Sequence, residues 1–352
     1  MVFIAYGCNN NAVWNALKLH VNFVNDLEEK ISFLVHKKHY DIVKMDYPNH
    51  TIYSYTSMFD LMIKLIKIEE SDVFSPVTYT TLLSFPAKII KSKNIYYWVQ
   101  GSVPEESYLR HKSKLKYYIL SIFEYLSLTV ASQNIFVSTY MQEYLEQKFH
   151  KNFTNSIIVP CISEFSYDGS LKEKDSFVYI GGMSAWQRVD KMLKMFNQIL
   201  QYKPKARLYI ATLDTAIAKE EVAKYLDPKD FGSVEVLSIT NREKILFFLS
   251  TKEYGFLIRE DIVVNNVSSP IKLAEYLSCG VNVIISDAVK SYAPMVEQQK
   301  AGISINIEDN IIEKLKGFQH STVNSLNVYQ QYFSREEQLK SYTKLLNSKE
   351  MV

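Results

Sequence analysis

"SSPIKLAEYLSCGVNVIIS", residues 268–286, decides how the rest of the chain is read. Ser268 and Ser269 suit a helix N-cap, Pro270 suits the first helical position and Gly280 suits the stop. The spacing predicts a helix over 270–279 and a strand over 281–286. Lys272 and Glu275 then share one face, a turn apart, on a helix that otherwise reads as core. A helix that starts at a strand end presents free backbone N–H groups and the positive end of its dipole. Both suit an anion, above all a phosphate. Lys272 adds a full positive charge there. The Glu275 carboxylate can accept two hydrogen bonds from a vicinal diol such as a ribose. The competing reading is a surface Lys–Glu pair contributing about 0.3 kcal/mol, and on spacing alone it is the more frequent of the two.

The surroundings repeat one rhythm. Ahead of this stretch, strands are predicted over 177–182, 206–212, 234–239 and 255–259, with helices over 188–202, 216–226 and 241–250 between them. The first half reads the same way, with strands over 2–6, 31–37, 52–56, 72–79, 94–101, 134–139 and 156–160. Its helices fall over 12–28, 57–70, 106–131 and 140–149, and a last helix covers 335–349. Strands alternating with helices predict an α/β protein with parallel sheets covered on both faces. At 352 residues the chain fits two doubly wound, Rossmann-like domains. The polar stretch "SEFSYDGSLKEKDS" (163–176) is the linker. The expected division is 1–164, 165–334 and a terminal helix over 335–352 that returns toward the N-terminal domain. In such sheets ligands bind at the carboxyl ends of strands, and a cleft between two domains is the natural site.

Composition removes other classes. A net charge of +2 gives no field suited to nucleic acid. Cys8, Cys161 and Cys279 are far apart, odd in number and without a CxxC, which fits a reducing compartment and small buried side chains. "MVFIAYGCNNN" lacks a basic start and reads as a first strand rather than a signal peptide. The most apolar run, "YYILSIFEYLSLTVA" (117–131), contains Glu124 and reads as a buried helix. The expected setting is the cytoplasm.

Gly181 and Gly182 end the strand over 177–182 and let a ligand approach the backbone closely. Arg188 falls where the next helix begins, and Arg259 closes the strand before the Ser-Ser-Pro loop. Arg188, Arg259 and Lys272 can converge on one diphosphate and replace a metal ion as its counter-charge. An ion pair of Arg259 with Glu260 or Asp261 is the alternative.

With these residues in order, the chain resembles the GT-B glycosyltransferases of the large group 1 (family 4) set. "IVVNNVSSPIKLAEYLSCGVNVIIS" resembles that set's nucleotide-binding signature. "YIGGMSAWQRVDKMLKMF" resembles the glycine turn and basic residue that open its C-terminal domain. "NIFVSTYMQEYLEQKF" with "IIVPCISEF" resembles the last unit of its N-terminal domain and the start of the hinge. The resemblance covers residues 94 to 300 and implies two Rossmann-like domains facing a central cleft. It implies a UDP- or GDP-sugar donor, a saccharide or polyprenyl-linked acceptor, no metal, and retention of configuration. The setting it implies is bacterial surface polysaccharide assembly: capsule, O-antigen or wall polymer.

Glu275 would hold the ribose. Lys272 with Arg188 or Arg259 would hold the diphosphate, helped by Gly182 and by backbone N–H groups of Ser268 and Ser269. Gln100 stands where many members have a histidine against the donor sugar; it can hydrogen-bond but cannot titrate. Val267 stands where a second glutamate is common, so Asn265 or Asn266 would supply that contact. An inverting reaction would need a base, for which "QGSVPEESYLRH" (100–111) offers Glu105, Glu106 and His111. The other reading makes the two glutamates first-turn helix residues.

Lesser features stay open. "YLRHKSKLKYY" (108–118) suits anionic lipid headgroups at the inner face of a membrane or a lipid-diphosphate acceptor, or else a solvated basic face, the more frequent case. Trp186 suits stacking on a base or a place in the core. Two rivals share the expected fold: a nucleotide-sugar 2-epimerase and a non-catalytic partner protein.

Overall fold

Strands with no solvent-facing side set the architecture: Val2–Ala5, Asp72–Ser75 and Asn282–Ser286 are buried along their whole length. Such strands need helices on both faces. The computed structural model describes residues 1–27 and 30–347. Position 28 of the expected helix 12–28 and positions 348–352 of the terminal segment lie outside the described residues.

The chain divides into two units, residues 1–160 with the segment from Gln338 onward, and residues 161–337. Unit 1 runs β1 (Val2–Ala5), α1 (Asn11–Asp26), β2 (Ser32–His36), α2 (Tyr40–Asp46), β3 (Thr51–Tyr55), α3 (Met58–Lys67) and β4 (Asp72–Ser75). It continues with α4 (Thr78–Lys91), β5 (Asn94–Val99), α5 (Val103–His111), α6 (Lys114–Val130), β6 (Gln133–Phe136), α7 (Thr139–Phe149) and β7 (Ser156–Ile158). Unit 2 begins with β8 (Glu173–Ile180), α8 (Val189–Tyr202), β9 (Arg207–Ala211), α9 (Thr215–Tyr225), β10 (Val234–Leu237), α10 (Arg242–Ser250) and β11 (Lys252–Leu257). It ends with α11 (Val263–Asn266), α12 (Ile271–Ser278), β12 (Asn282–Ser286), α13 (Ala293–Gln298), β13 (Gly302–Ile305), α14 (Ile311–Lys316) and α15 (Thr322–Tyr332). The last helix, α16 (Arg335–Asn347), carries the chain from unit 2 back to unit 1.

Both sheets are parallel. Their orders are β3-β2-β1-β4-β5-β6-β7 and β10-β9-β8-β11-β12-β13. Each order reverses at one place, between β1 and β4 and between β8 and β11. Crossovers leave in opposite directions there, which opens a crevice at the carboxyl ends of the strands. In unit 1, α16 buries Tyr342 completely; its hydroxyl is bonded to Nδ1 of His20 and its ring lies 5.2 Å from that of Phe23.

Several elements differ from the sequence expectation. The strand expected over 72–79 stops at Ser75, and Thr78 opens a helix of 14 residues. Thr80 and Thr81 turn their hydroxyls onto the Val77 carbonyl, a local bond that overrides the strand preference of a Thr- and Tyr-rich run. The single helix expected over 106–131 is two. Lys112 takes a φ of +52° and ends α5, and the Ser113 hydroxyl accepts the Lys116 N–H to start α6. The linker expected over 163–176 is partly strand, because β8 already pairs with β11 at Glu173. Cys8 and Cys279 are buried, but Cys161 is partly exposed.

Candidate functional site

In unit 2 the ends of β8 and β11 meet the start of α12 at the crevice. Tyr276 fastens them together. Its hydroxyl accepts the Ile180 N–H at 3.1 Å and donates to the Phe256 carbonyl at 3.3 Å. Gly255 makes this possible, since a Cβ there would lie 2.8 Å from the Tyr276 ring. Gly181 is required for a second reason: its φ is +131°, and a Cβ would fall 2.5 Å from Nζ of Lys272.

Lys272 therefore lies along the glycine turn. Its Nζ donates to Oε1 of Gln187 at 2.8 Å and to the Tyr179 hydroxyl at 3.2 Å, and sits 4.3 Å from the Tyr179 ring centre. Burial holds its pKa well below the usual lysine range. Repulsion from Arg259 lowers it further, and Glu275 pulls the other way. Arg259 is 9% exposed, and its Nε and Nη1 are buried without a hydrogen-bond partner. Burial pushes its pKa down as well. Neither flanking acid takes it. Asp261 is 3.6 Å from Lys290 and accepts from Asn266 at 2.7 Å, and Glu260 acts on Arg188. Two buried cations thus sit within reach of each other, and among the described residues neither has an ion pair.

Glu275 is partly exposed one turn along α12. Burial raises its pKa, offset by the charges of Arg242 and Lys272. The expected serine cap is arranged differently. Pro270 is the N-cap residue, without a side-chain cap, and α12 starts at Ile271. Ser269 Oγ accepts from the Cys161 N–H at 2.9 Å and from the Tyr292 hydroxyl at 3.2 Å. The Ser268 N–H and hydroxyl both go to the Asn265 carbonyl. The serines therefore shape the loop, and the N–H groups of Ile271 and Lys272 at the helix mouth have no backbone acceptor among the described residues.

Arg188, unlike Lys272 and Arg259, is paired with an acid. It has left-handed backbone angles (φ +45°) and pairs with Asp190 through Nε and Nη2, both at 2.9 Å. It lines a cavity of about 430 Å³ with Met183, Ser184, Asp190, Tyr225 and Glu260. Gly182 contributes its carbonyl to the Tyr179 hydroxyl at 2.5 Å. Asn265 and Asn266 are buried and donate to Glu260 O, Asp261 Oδ1 and Ala288 O, so their amides are committed to the loop. Trp186 is 51% exposed and is not a core residue.

In unit 1, Gln100 is exposed just past β5 and donates to the Pro76 carbonyl at 2.9 Å. Glu105 is nearly buried and engaged by Ser102, Tyr117, Tyr144 and Lys148. Burial alone would raise its pKa, but these bonds hold it below the usual range. A carboxylate so occupied is a poor proton acceptor.

Sequence reasoning missed Tyr179, Gln187 and Arg242. Gln187 had one signal, its place in the glycine turn beside Arg188. Tyr179 and Arg242 had none, because their partners are distant in the chain.

No family model and no curated protein matches the chain. Solved structures do. The lipopolysaccharide outer core galactosyltransferase WaaB, in its apo form, superposes with a TM-score of 0.72 at 13% identity over 99% of both chains. HepE of Anabaena, in complex with UDP, gives 0.71 at 11% identity, again over 99% of both. A UDP-N-acetylglucosamine 2-epimerase from Listeria monocytogenes, so described provisionally, gives 0.58 at 11% identity over 99% of this chain and 95% of that one. With two doubly wound parallel sheets of the same order and these neighbours over nearly its whole length, the chain has the GT-B fold.

Proposed function

We propose that unit 2 binds a nucleoside-diphosphate sugar at the mouth of α12 and that the chain transfers the sugar to a saccharide or lipid-linked acceptor. One observation carries this reading. Arg259 has two buried donors without an acceptor, beside a buried Lys272 that it repels. Buried polar groups of this kind are costly unless something absent supplies the missing partner. A diphosphate, with two negative charges and several acceptor oxygens, supplies it.

The chemistry follows. Sugar transfer builds negative charge on the leaving diphosphate. Fixed cations and helix N–H groups stabilise that charge more than the ground state, which is what lowers a barrier. Arg259, Lys272 and the Ile271 and Lys272 N–H groups form that set, with no metal needed as counter-charge. Glu275 accepts hydrogen bonds from the ribose. We assign retention, the leaving phosphate helping to deprotonate the acceptor. Glu105 is assigned to the framework of unit 1, and Arg188 to the neighbouring cavity. The HepE complex supports a uridine nucleotide, and WaaB, a lipopolysaccharide outer core galactosyltransferase, supports a part in bacterial surface-polysaccharide assembly, for which we assign a cytoplasmic setting. The 2-epimerase neighbour supports the rival in which free sugar nucleotide is isomerised.

The test incubates the protein with UDP- and GDP-sugars, with and without saccharide or lipid acceptors, in the presence of a chelator. Transfer predicts acceptor-dependent nucleotide release that survives chelation. Isomerised donor without acceptor identifies the epimerase, and no turnover of any donor removes the catalytic reading. Glu275→Ala is expected to weaken nucleotide binding at least tenfold, from lost hydrogen bonds to a charged group at about 1.5–3 kcal/mol each. Wild-type affinity in a calorimetric titration of that variant would remove the ribose assignment.

A further inference from the structure

The outer face of α6 is built in the reverse sense for a surface helix. At about 100° per residue, Leu115, Tyr118, Ile119, Ile122, Phe123 and Leu126 form a stripe roughly 140° wide. All six are exposed, Leu115 at 72%, Tyr118 at 63% and Ile122 at 57%. The inward face of the same helix holds Glu124 and Ser127 with Leu128. The polar groups thus point in and the aliphatic and aromatic ones point out. Helix α4, packed beside α6, adds exposed Phe85, Ile89 and Ile90. A surface helix normally turns its apolar stripe to the core, and an apolar patch of this extent marks a contact surface.

Charge identifies the occupant. Between Glu106 and Glu124 the sequence has no acid, but it has Arg110, Lys112, Lys114 and Lys116, all exposed. On the helical wheel Lys114 and Lys116 fall on the two opposite edges of the stripe, about 200° apart. Arg110 has Glu106 at 3.6 Å and Lys112 lies 5.8 Å from the Tyr108 ring centre. Lys114 and Lys116 have no ion pair among the described residues. No helix among the described residues is long and apolar enough to cross a membrane.

We propose that this face of unit 1 docks on an anionic lipid bilayer, with α6 lying in the interfacial plane, its stripe among the acyl chains and Lys114 and Lys116 on headgroup phosphates. A second copy of the chain fits the stripe but not the lysines. The outer face of α6 carries no acid, so a symmetric partner brings nothing to pair with them. The proposal stands independently of sugar transfer.

The test is flotation of the full chain with vesicles of phosphatidylcholine alone and of a phosphatidylcholine–phosphatidylglycerol mixture. Binding to the mixture is expected, with little to phosphatidylcholine and release at high salt. Lys114→Gln with Lys116→Gln should lower the partition roughly 30-fold. Ile119→Ser with Ile122→Ser should abolish it, and the same far-UV spectrum and melting temperature as wild type show that both variants are folded. Equal partition into both vesicles, insensitive to salt and to the lysines, would overturn the proposal. So would no partition at all, or a dimer in light scattering that the serine variant dissolves while wild type ignores vesicles.

Discussion

Lys272 and Arg259 oppose each other, and that opposition is measurable. Burial and the neighbouring guanidinium both disfavour the Lys272 charge. Lys272→Met keeps the apolar stem and removes the repulsion, at the loss of the bonds to Gln187 and the Tyr179 hydroxyl. The ligand-free protein is expected to melt higher than wild type, whereas nucleotide affinity should fall 10- to 100-fold, the range of a charged hydrogen bond. Thermal-shift titration with UDP and GDP checks both; a lower melting point with unchanged affinity would assign Lys272 to the framework. The pH dependence has a definite sign. A bound diphosphate restores the Lys272 pKa toward 10.5, so between the depressed value and 10.5 binding takes up a proton and affinity falls as pH rises. Calorimetry in buffers of different ionisation heat reads that uptake directly. At this scale the meeting of Lys272 and Arg259 was legible, because a strand end followed by a helix start brings the two positions to one edge of the sheet. Arg188 was not, since its pairing with Asp190 depends on a left-handed backbone turn that spacing does not reveal.

Helices α5, α6 and α7 are joined by one buried ionic cluster. Lys148 Nζ lies 2.9 Å from Glu105 Oε1 and 2.8 Å from Glu124 Oε2, and the Ser102 hydroxyl sits between the two carboxyl groups, donating its single proton to one of them at a time. Burial raises the Glu124 pKa to about 7 against the pull of Lys148. Lys148→Met leaves two buried carboxylates without a counter-charge and is expected to destabilise unit 1 by about 3–5 kcal/mol. Glu124→Gln should be milder, because Glu124 is partly protonated at neutral pH already. Urea unfolding followed by tryptophan emission ranks the two; the reverse order would mean that the lysine adds nothing. The cluster also explains an incomplete reading of the sequence. Glu105 looks like an acceptor-side base until Tyr117, Tyr144 and Lys148, brought from up to 43 residues away, occupy its oxygens. Helix α4 was hidden for a local reason, the β-branched Thr80 and Thr81 that bond backward to Val77. The alternation that gives two parallel sheets was legible because buried strands and amphipathic helices differ in period, and no single side chain can disguise that.

Each unit carries its own acid-sensitive histidine, so the whole molecule has two separable responses to pH. In unit 1, His20 is enclosed by Phe23, Phe74, Trp98 and Tyr342, with no carboxylate beside it among the described residues, and burial pushes its pKa down to about 3. In unit 2, His320 is lowered to about 4, chiefly by burial and then by Lys172. An unfolded histidine titrates near 6.5. Below that pH the unfolded chain binds protons that the folded chain refuses, so stability falls as pH falls, by up to about 1.4 kcal/mol per pH unit for each histidine. Above pH 6.5 neither contributes. The loss runs to about pH 4 for unit 2 and about pH 3 for unit 1. Tryptophan placement separates the signals. Trp14 and Trp98 are 3% exposed in unit 1, whereas Trp186 in unit 2 is 51% exposed and changes environment little on unfolding. Emission wavelength therefore follows unit 1, and far-UV dichroism follows both. His20→Gln keeps an acceptor for the Tyr342 hydroxyl and cannot titrate. It is expected to flatten the acid limb seen by tryptophan emission and to leave the rest of the dichroism limb in place, with His320→Gln doing the reverse. If both variants keep the wild-type slope in both signals, acid unfolding is driven by carboxylates rather than by these rings.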